Sequence, residues 1–295
     1  MKSGFVSLVG RPNVGKSTLI NQILGTKVAI TSKVANTTRN IIQGIYNDSD
    51  SQIIFVDTPG IHKPQNKLGQ ILNKGAYYSI EDVDIVCFLI DGTQRLGTGD
   101  KFILERLKKI NKPVILIINK IDKMTKDEIF LKINEYKDLY DFKEIVPVSA
   151  IKSKNIEELL KTIKNYLPDS IKYYGEETIT NKSTKFMIGE IVREKILNLT
   201  KEEVPHSVTC VVEKIINDKD KTIINVVIVV DRDSLKKIII GKNGTMIKKI
   251  GTEARKDLEE MLKTKVYLEL YVKTIEKWRD RENFLNELEF NDFMK

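Results

Sequence analysis

The sequence predicts two successive domains: an α/β domain with a mostly parallel sheet and helices on both faces, then a smaller α+β domain. Residues 5–170 alternate short β-branched runs with amphipathic helical stretches, whereas the order after residue 184 becomes α-β-β-α-α-β. The length of 295 residues also exceeds what one core usually serves. We therefore expect domains at 1–170 and 184–295, joined by a polar linker at 171–183.

Hydrophobic periodicity defines the elements of the first domain. Apolar runs typical of buried strands lie at 5–9, 41–46, 52–56, 84–90, 114–118 and 145–148. Apolar residues spaced by three and four predict helices at 16–24, 68–79, 99–109, 126–140 and 154–167. Because open α/β sheets bind ligands at the carboxyl ends of their strands, the loops after these strands are the place to look for a site.

The second domain has a different order of elements. The sequence predicts helices at 185–199, 234–239 and 245–262 and strands at 207–216, 222–230 and 265–272. Residues 217–220, Asn-Asp-Lys-Asp, are typical of the turn between the first two strands. The helices at 234–239 and 245–262 are separated only by Gly-Lys-Asn-Gly at 241–244.

The composition indicates a folded globular protein rather than a membrane or disordered one. With 41% hydrophobic and 31% charged residues the chain is typical of a folded globular protein, and no apolar run approaches the roughly 20 residues of a membrane span. The first residues lead into a strand without the pattern of a signal peptide. Cys87 and Cys210 both lie in apolar strand-like runs, which favours reduced, buried thiols and a cytoplasmic location.

A phosphate-binding loop follows the first strand. The segment 10–17 matches the pattern G-x-x-x-x-G-K-S, directly after a strand and at the start of a helix, as that motif requires. Successive backbone N–H groups can wrap a β-phosphate, Lys16 can bridge the β- and γ-phosphates, and Ser17 can offer its hydroxyl to Mg²⁺. The candidate nucleotide-binding residues are Gly10, Arg11, Pro12, Asn13, Val14, Gly15, Lys16 and Ser17.

The base is read by a second segment. Asn119-Lys120-Ile121-Asp122 follows the strand at 114–118, and a carboxylate there can accept hydrogen bonds from the N1–H and N2–H₂ edge of guanine, which adenine lacks. Asp122 therefore predicts GTP rather than ATP, while Asn119 would brace the loops and the stem of Lys120 would lie over the purine. The backbone that we expect to approach guanine O6 is that of Ser149, Ala150 and Ile151.

Two further segments are candidates for binding Mg²⁺ and the γ-phosphate. Asp57-Thr58-Pro59-Gly60 ends a strand, so Asp57 can hold Mg²⁺ and the N–H of Gly60 can contact the γ-phosphate. Thr38 is the candidate for a second hydroxyl on Mg²⁺. We expect Lys16, Thr38 and Gly60 to be the catalytic residues, with Ser17, Thr38 and Asp57 as the Mg²⁺ ligands.

The residue after Gly60 predicts slow hydrolysis. GTPases of the Ras class place a glutamine there to orient the attacking water, and this chain has Ile61, which cannot hydrogen-bond water. Another group or a bound partner must then position the nucleophile. His62 is the nearest polar candidate, although a loop histidine is more often structural or solvated.

A G-x-x-G loop in the second domain predicts a nucleic-acid contact. KH domains use such a loop to clamp about four single-stranded nucleotides. Between residues 236 and 256 there are seven basic residues against the single acid Glu253, so phosphate neutralisation coincides with the loop. A tight interhelical turn is the alternative, and the surrounding α-β-β-α-α-β order favours a type II KH domain. The candidate RNA-binding residues are Gly241, Lys242, Asn243, Gly244, Lys248 and Lys249.

Together these motifs resemble a P-loop GTPase of the translation-factor class followed by a type II KH domain, and nearly the whole chain is similar to the Era family of bacterial GTPases. The stretches 190–195, 238–256 and 265–270 carry this likeness closely, whereas the linker has Gly175 where the family often has proline. The resemblance implies Mg²⁺, binding of the 3′ end of 16S ribosomal RNA, assembly of the 30S subunit and peripheral contact with the inner membrane face, in a protein that we expect to be monomeric. Asn13 also resembles the P-loop asparagine with which some of these GTPases hold K⁺.

Two other classes of function are compatible with the sequence. The chain could be a structural RNA-binding module whose GTPase half is only stabilised by nucleotide, and identical RNA affinity with GDP and with a GTP analogue would favour this. It could also be a membrane-associated signalling GTPase, but the sequence has no lipidation motif or strongly amphipathic basic helix.

Overall fold

The protein folds into two compact units. A computed structural model describes residues 1–32, 34, 37–59, 64, 66–288 and 290. The first unit comprises 1–29, 38–64 and 69–181, and the second comprises 30–37, 65–68 and 182–295. Each unit contains one β-sheet of the described residues, with six strands in the first unit and three in the second.

The first unit alternates strands and helices, as the sequence predicts. Its elements, with α2 beginning in the short segment assigned to the second unit, are β1 (Lys2–Val9), α1 (Lys16–Leu24), β2 (Ile42–Asn47), β3 (Ser51–Asp57), α2 (Lys67–Glu81), β4 (Ile85–Asp91), α3 (Thr98–Leu107), β5 (Val114–Asn119), α4 (Lys126–Lys137), β6 (Glu144–Pro147) and α5 (Ile156–Tyr166). The strand order is β2-β3-β1-β4-β5-β6. Every pair is parallel except β2 with β3, so the carboxyl ends of β1, β3, β4 and β5 lie along one edge.

Both faces of this sheet are covered. Alternate residues of β4 enter different cores: Cys87 and Leu89 pack with α1 and α5, whereas Phe88 and Ile90 pack with α2, α3 and α4. All four are completely buried, which explains why the strand reads as a continuous apolar run. Burial also raises the pKa of the Cys87 thiol, which keeps it protonated and unreactive. The predicted α/β architecture is confirmed.

The polar stretch predicted as a linker is ordered along the first unit as far as residue 181. Gln52 of β3 accepts hydrogen bonds from the N–H groups of Tyr173 (2.7 Å) and Tyr174 (3.0 Å). The N–H of Ile45 in β2 donates to the carbonyl of Ile179 at 2.8 Å. The stretch lacks periodicity because backbone and side-chain hydrogen bonds, rather than an apolar face, hold it in place.

The second unit has the predicted α-β-β-α-α-β order. Its elements are α6 (Thr184–Leu199), β7 (Val208–Asn217), β8 (Lys221–Val230), α7 (Asp233–Ile240), α8 (Thr245–Leu262), β9 (Lys265–Thr274) and α9 (Glu282–Glu287). β8 lies in the centre, antiparallel to β7 and parallel to β9. Apolar residues of α6, α7 and α8 pack on one face of this sheet, and Ile30 joins the same core. Cys210 of β7 is not part of a disulfide, and it is only partly buried, which corrects the expected full burial.

The residues after β9 complete the second unit in a way that the sequence does not predict. Trp278 is completely buried, and its indole N–H donates to the carbonyl of Ser207 at 2.9 Å. Its ring meets Phe284 edge-on, and Leu285 of α9 is also fully buried. Among all described helices, none has the length and apolar character to cross a bilayer.

Candidate guanine nucleotide site and RNA-binding loop

The phosphate-binding loop connects β1 to α1 and depends on two glycines. A Cβ on Gly10 would lie 2.3 Å from the carbonyl oxygen of Leu89, and one on Gly15 would lie 2.3 Å from Nδ2 of Asn119. Gly15 also has a φ of +105°, and Asn13 has a φ of +64°, both in the left-handed region. The loop can therefore come close to its neighbours only with these glycines, and it presents its backbone at the start of α1.

Lys16 lies inside this loop. Its side chain is buried, and its ammonium donates to the carbonyls of Gly10 (3.2 Å) and Arg11 (3.3 Å). Burial lowers the pKa of Lys16, and the carboxylate of Asp57 opposes that shift. An ammonium held in this position is suited to contact the phosphate oxygens of a nucleotide.

The three predicted Mg²⁺ ligands lie together. The hydroxyl of Ser17 donates to Oδ2 of Asp57 at 2.7 Å, the hydroxyl of Thr38 donates to the same oxygen at 3.2 Å, and the two hydroxyls are 3.0 Å apart. Oδ1 of Asp57 is buried without a hydrogen-bond partner. Burial raises the pKa of Asp57, an effect that Lys16 and both hydroxyls oppose. Hard oxygen donors around one buried carboxylate fit Mg²⁺, whose charge would favour the ionised form.

The rest of the segment after β3 is only partly described. The hydroxyl of Thr58 donates to the carbonyl of Leu8 at 3.0 Å, so this side chain ties the strand end to β1. Pro59 is buried beside it. Gly60, Ile61 and His62 lie outside the described residues, and their predicted roles stay predictions.

Asn119, at the end of β5, joins three loops. Its Nδ2 donates to the carbonyl of Val14 at 2.8 Å, and its Oδ1 accepts from the N–H of Ala150 at 3.0 Å. Oδ1 of Asp122 accepts from the hydroxyl of Ser149 at 2.5 Å, which orients an otherwise exposed carboxylate. The side chain of Ile151 is 70% exposed, so only its backbone is placed to act in the site.

Lys120 has a partner that the sequence does not reveal. Its backbone is left-handed, with a φ of +68°. Its ammonium donates to the carbonyl of Asn13 at 2.8 Å and to Oδ2 of Asp91 at 2.7 Å. Asp91 is the last residue of β4, and the signal that could have identified it is its position: a polar residue directly after a buried strand at the ligand-binding edge.

The G-x-x-G loop of the second unit joins α7 to α8. Gly241 and Gly244 have φ values of +72° and +75°, and Asn243 between them has +52°. A Cβ on Gly241 would lie 2.7 Å from that of Met246, whereas one on Gly244 would meet nothing nearer than 4.0 Å. Packing therefore selects glycine at 241, while backbone conformation and an open approach select it at 244.

Exposed cations surround this loop. Lys242, Lys248 and Lys249 are exposed, and no carboxylate of the described residues lies within 4 Å of their ammonium groups. Ile238 beside the loop is 49% exposed. Unpaired cations, an apolar side chain and an accessible backbone at one place are suited to single-stranded RNA.

The second unit also includes residues 30–37, the segment that precedes Thr38. Glu194 of α6, which is buried, accepts from the N–H of Thr31 at 2.9 Å. The buried guanidinium of Arg193 donates to the carbonyl of Thr37 at 2.5 Å and to both carboxylate oxygens of Glu190 at 2.7 and 2.6 Å. Burial by itself would lower the pKa of Arg193, but the charge of Glu190 raises it. Two charged residues of one helix thus hold both ends of this segment.

Comparisons with known proteins agree with both parts of the chain. The family model of the 50S ribosome-binding GTPases matches residues 5–120, and that of the KH domain matches residues 203–279. A variant of Aquifex aeolicus Era bound to GDP·AlF₄⁻ is 43% identical, with a TM-score of 0.94. The structure of Era in complex with MgGDPNP and nucleotides 1506–1542 of 16S ribosomal RNA is also 43% identical, with a TM-score of 0.95. Each likeness covers 98% of this chain and 99% of the other. Since this identity extends through both units, the chain belongs to the Era family of GTPases.

Proposed function

We propose that this protein is a GTP-hydrolysing switch that binds 16S ribosomal RNA near its 3′ end and assists assembly of the 30S ribosomal subunit. The observation that carries the proposal is the likeness, over 98% of the chain, to an Era that binds both MgGDPNP and nucleotides 1506–1542 of 16S ribosomal RNA. The local geometry is compatible with each part of this function.

GTP is the nucleotide that the base-reading residues favour. The carboxylate of Asp122 is oriented by Ser149 and can accept two hydrogen bonds from guanine. Asn119 holds the P-loop and the loop of Ala150 at fixed distances from it. ATP would place an acceptor and a C–H group opposite the same carboxylate, so we expect discrimination by orders of magnitude.

Hydrolysis depends on the residues around the phosphates. Mg²⁺, when bound, would neutralise charge on the β- and γ-phosphate oxygens, and Ser17, Thr38 and Asp57 are the residues that would hold it. Lys16 would bind the same phosphates through its ammonium group. The Gln-to-Ile replacement at position 61 leaves water orientation to another group, so turnover should be slow.

We infer that Asn13 holds a K⁺ ion near the phosphates. Its left-handed backbone lies in the P-loop, and its carbonyl is fixed by the ammonium of Lys120. We expect faster GTP hydrolysis in KCl than in NaCl at equal ionic strength. Equal hydrolysis rates in the two salts would show that K⁺ has no role in hydrolysis.

The switch follows from residues 30–37. This segment is held by Arg193 and Glu194 of the unit that carries the G-x-x-G loop, and its next residue is the metal-site Thr38. A γ-phosphate that orders Thr38 would therefore act on a segment that α6 already holds. Hydrolysis would release this constraint and change RNA binding.

Domain boundaries, location and assembly state complete the proposal. We infer a GTPase domain at 1–170, a linker at 171–183 and an RNA-binding domain at 184–295, in a monomer. A ribosomal partner supports a cytoplasmic location. Peripheral contact with the inner membrane face is supported only by the family resemblance, and co-sedimentation with vesicles containing anionic lipid would test it.

The catalytic part of the proposal has a direct test. Purified protein should bind GDP and GTP but not ATP, and should release phosphate from GTP only when Mg²⁺ is present. Thr38→Ala should reduce phosphate release more than it reduces GDP binding. Hydrolysis of ATP at the same rate, or hydrolysis that EDTA leaves unchanged, would contradict the proposed chemistry.

A further inference from the structure

The connection between β4 and α3 carries no known nucleotide motif, yet the carboxylates at its two ends each contact a residue of a nucleotide-binding loop. Asp91 ends β4, and Asp100 lies in the first turn of α3. Both belong to the first unit, and both are buried. Neither residue is used in the chemistry described above.

Asp91 fixes the lysine of the base-reading segment. Its Oδ2 accepts from the ammonium of Lys120 at 2.7 Å, and its Oδ1 accepts from the N–H (3.0 Å) and the hydroxyl (2.7 Å) of Thr93. The side chains are 11% exposed for Asp91 and 29% for Lys120, so the pair is only partly accessible to water. Because the same ammonium donates to the carbonyl of Asn13, Asp91 is linked through one group to the base-reading loop and to the P-loop.

Asp100 fixes the P-loop from the other side. Its carboxylate is completely buried, with Oδ1 at 2.9 Å from Nε of Arg11 and Oδ2 accepting from the N–H of Gly97 at 2.9 Å. Burial raises the pKa of Tyr136 of α4, and the nearby carboxylate of Asp100 raises that pKa further. Arg11 is the residue directly after Gly10 of the P-loop, and its carbonyl accepts from Lys16.

The backbone at the start of α3 is shaped around Arg11. A Cβ on Gly97 would lie 2.8 Å from Nη1 of Arg11, and a Cβ on Gly99 would lie 2.8 Å from its Cδ. Two glycines thus leave room for the guanidinium and its stem directly beside the buried acid. An arginine that only faced solvent would not need this space.

We propose that Asp91 and Asp100 are positioning residues of the guanine nucleotide site, which hold Lys120 and Arg11 so that the two loops are arranged before nucleotide binds. The inference rests on the proposed binding of GTP and deepens it. Neither carboxylate touches the nucleotide. Each acts by fixing a loop that would otherwise lose conformational entropy on binding, so its removal weakens affinity for GDP and GTP alike.

The test compares Asp91→Asn and Asp100→Asn with a matched control, Asp84→Asn. Asp84 lies at the other end of β4, where its Oδ2 accepts from the N–H of Phe5 at 2.8 Å, far from the ligand-binding edge. The dissociation constants for GDP and a non-hydrolysable GTP analogue are measured by calorimetry on the full chain, at a temperature well below every melting point.

Asp91→Asn removes a charged hydrogen bond to Lys120, and Asp100→Asn removes the ion pair with Arg11. We expect each change to weaken binding of both nucleotides by about 10- to 100-fold. Asp84→Asn should stay within about twofold of the parent protein even if its melting temperature falls. If Asp100→Asn does not fold, Arg11→Gln breaks the same pair at its partly exposed end.

The outcomes separate this inference from the function on which it rests. A parent protein that binds guanine nucleotides, with both variants binding equally well, would overturn the positioning role alone. The positioning role would also be overturned if all three variants, including Asp84→Asn, lost nucleotide affinity in proportion to the fall in their melting temperatures. A parent protein with no preference for guanine nucleotides would overturn the proposed function and the inference together.

Discussion

Replacing Arg193 with methionine should strongly destabilise the protein. The guanidinium is 1% exposed and donates to Glu190 and to the carbonyl of Thr37. Methionine keeps much of the volume but leaves a carboxylate, 12% exposed, without its counter-charge. Breaking such a buried pair at one end costs about 3–5 kcal/mol. At about 2–4 °C per kcal/mol for a chain of this size, the melting temperature should fall by roughly 10 °C.

Two further variants identify the cause. Glu190→Gln combined with Arg193→Met removes both charges, so much of the lost stability should return. Lys108→Met removes the cation of an i,i+3 pair with the same spacing, Glu105 and Lys108, whose side chains are 67% and 51% exposed. That pair is worth about 0–1 kcal/mol, so this control should melt close to the parent protein.

The rate of GTP hydrolysis in the double variant distinguishes two roles of Arg193, which are the pairing with Glu190 and the hydrogen bond to the carbonyl of Thr37. The double variant regains charge balance but still lacks a donor for the Thr37 carbonyl, so GTP hydrolysis should remain several-fold slow although stability returns. Melting and phosphate release are measured on the same preparations. A melting temperature of Arg193→Met equal to that of the Lys108→Met control would show that the buried pair does not stabilise the protein. Recovery of hydrolysis together with stability in the double variant would show that the contact with Thr37 plays no part in hydrolysis.

Three other variants test separate sites. Asp122→Asn should shift the preference from guanine to xanthine nucleotides, because an amide N–H can donate to the xanthine carbonyl. Unchanged GTP affinity in a competition assay would disprove base reading by this residue. Gly244→Asp should weaken binding of single-stranded RNA at least tenfold, because it adds strain at a φ of +75° and a negative charge near phosphates. Gly251→Asp adds the same charge outside the loop and serves as the control. Burial raises the pKa of Asp48, but hydrogen bonds from Lys164 and Ser51 outweigh it and hold that pKa well below its ordinary value of 3.8. This stabilisation is present above that value and is lost as the pH falls, so Lys164→Met should lower the melting temperature at neutral pH and less so near pH 2; an equal loss at both values would contradict the pairing.

Much of the nucleotide site is predictable because its chemistry is local in sequence. Gly10, Gly15 and Lys16 are adjacent in one loop, and the β1-to-α1 context is visible in the hydrophobic pattern. Ser17 and Asp57 meet because β1 and β3 are parallel and their carboxyl ends share an edge, and Thr38 joins them because the antiparallel β2 begins at that edge. Here spacing and topology together suffice.

Other features are set by contacts that are distant in sequence. Asp100 looks like an ordinary surface acid and Asp91 is marked only by its position after a buried strand, because only the folded chain brings Arg11 and Lys120 to them. Arg193 lies on a helix whose charges would usually be solvated, yet it is buried. Trp278 follows the last predicted strand and has no periodic neighbours, so its packing under Ser207 has no local signal. Helix ends also shift: the helix predicted at 126–140 ends at Lys137.

In the proposed switch, the bound nucleotide controls recognition of ribosomal RNA. The most direct measurement is the affinity of the full chain for a short single-stranded copy of the 16S ribosomal RNA 3′ end, with GDP and with a non-hydrolysable GTP analogue. A scrambled RNA at the same salt concentration is the control, because phosphate contacts alone bind any sequence. We expect tight binding that depends on the RNA sequence and differs between the two nucleotides. Binding that ignores both would contradict it and favour a structural RNA-binding module with a nucleotide-stabilised partner domain.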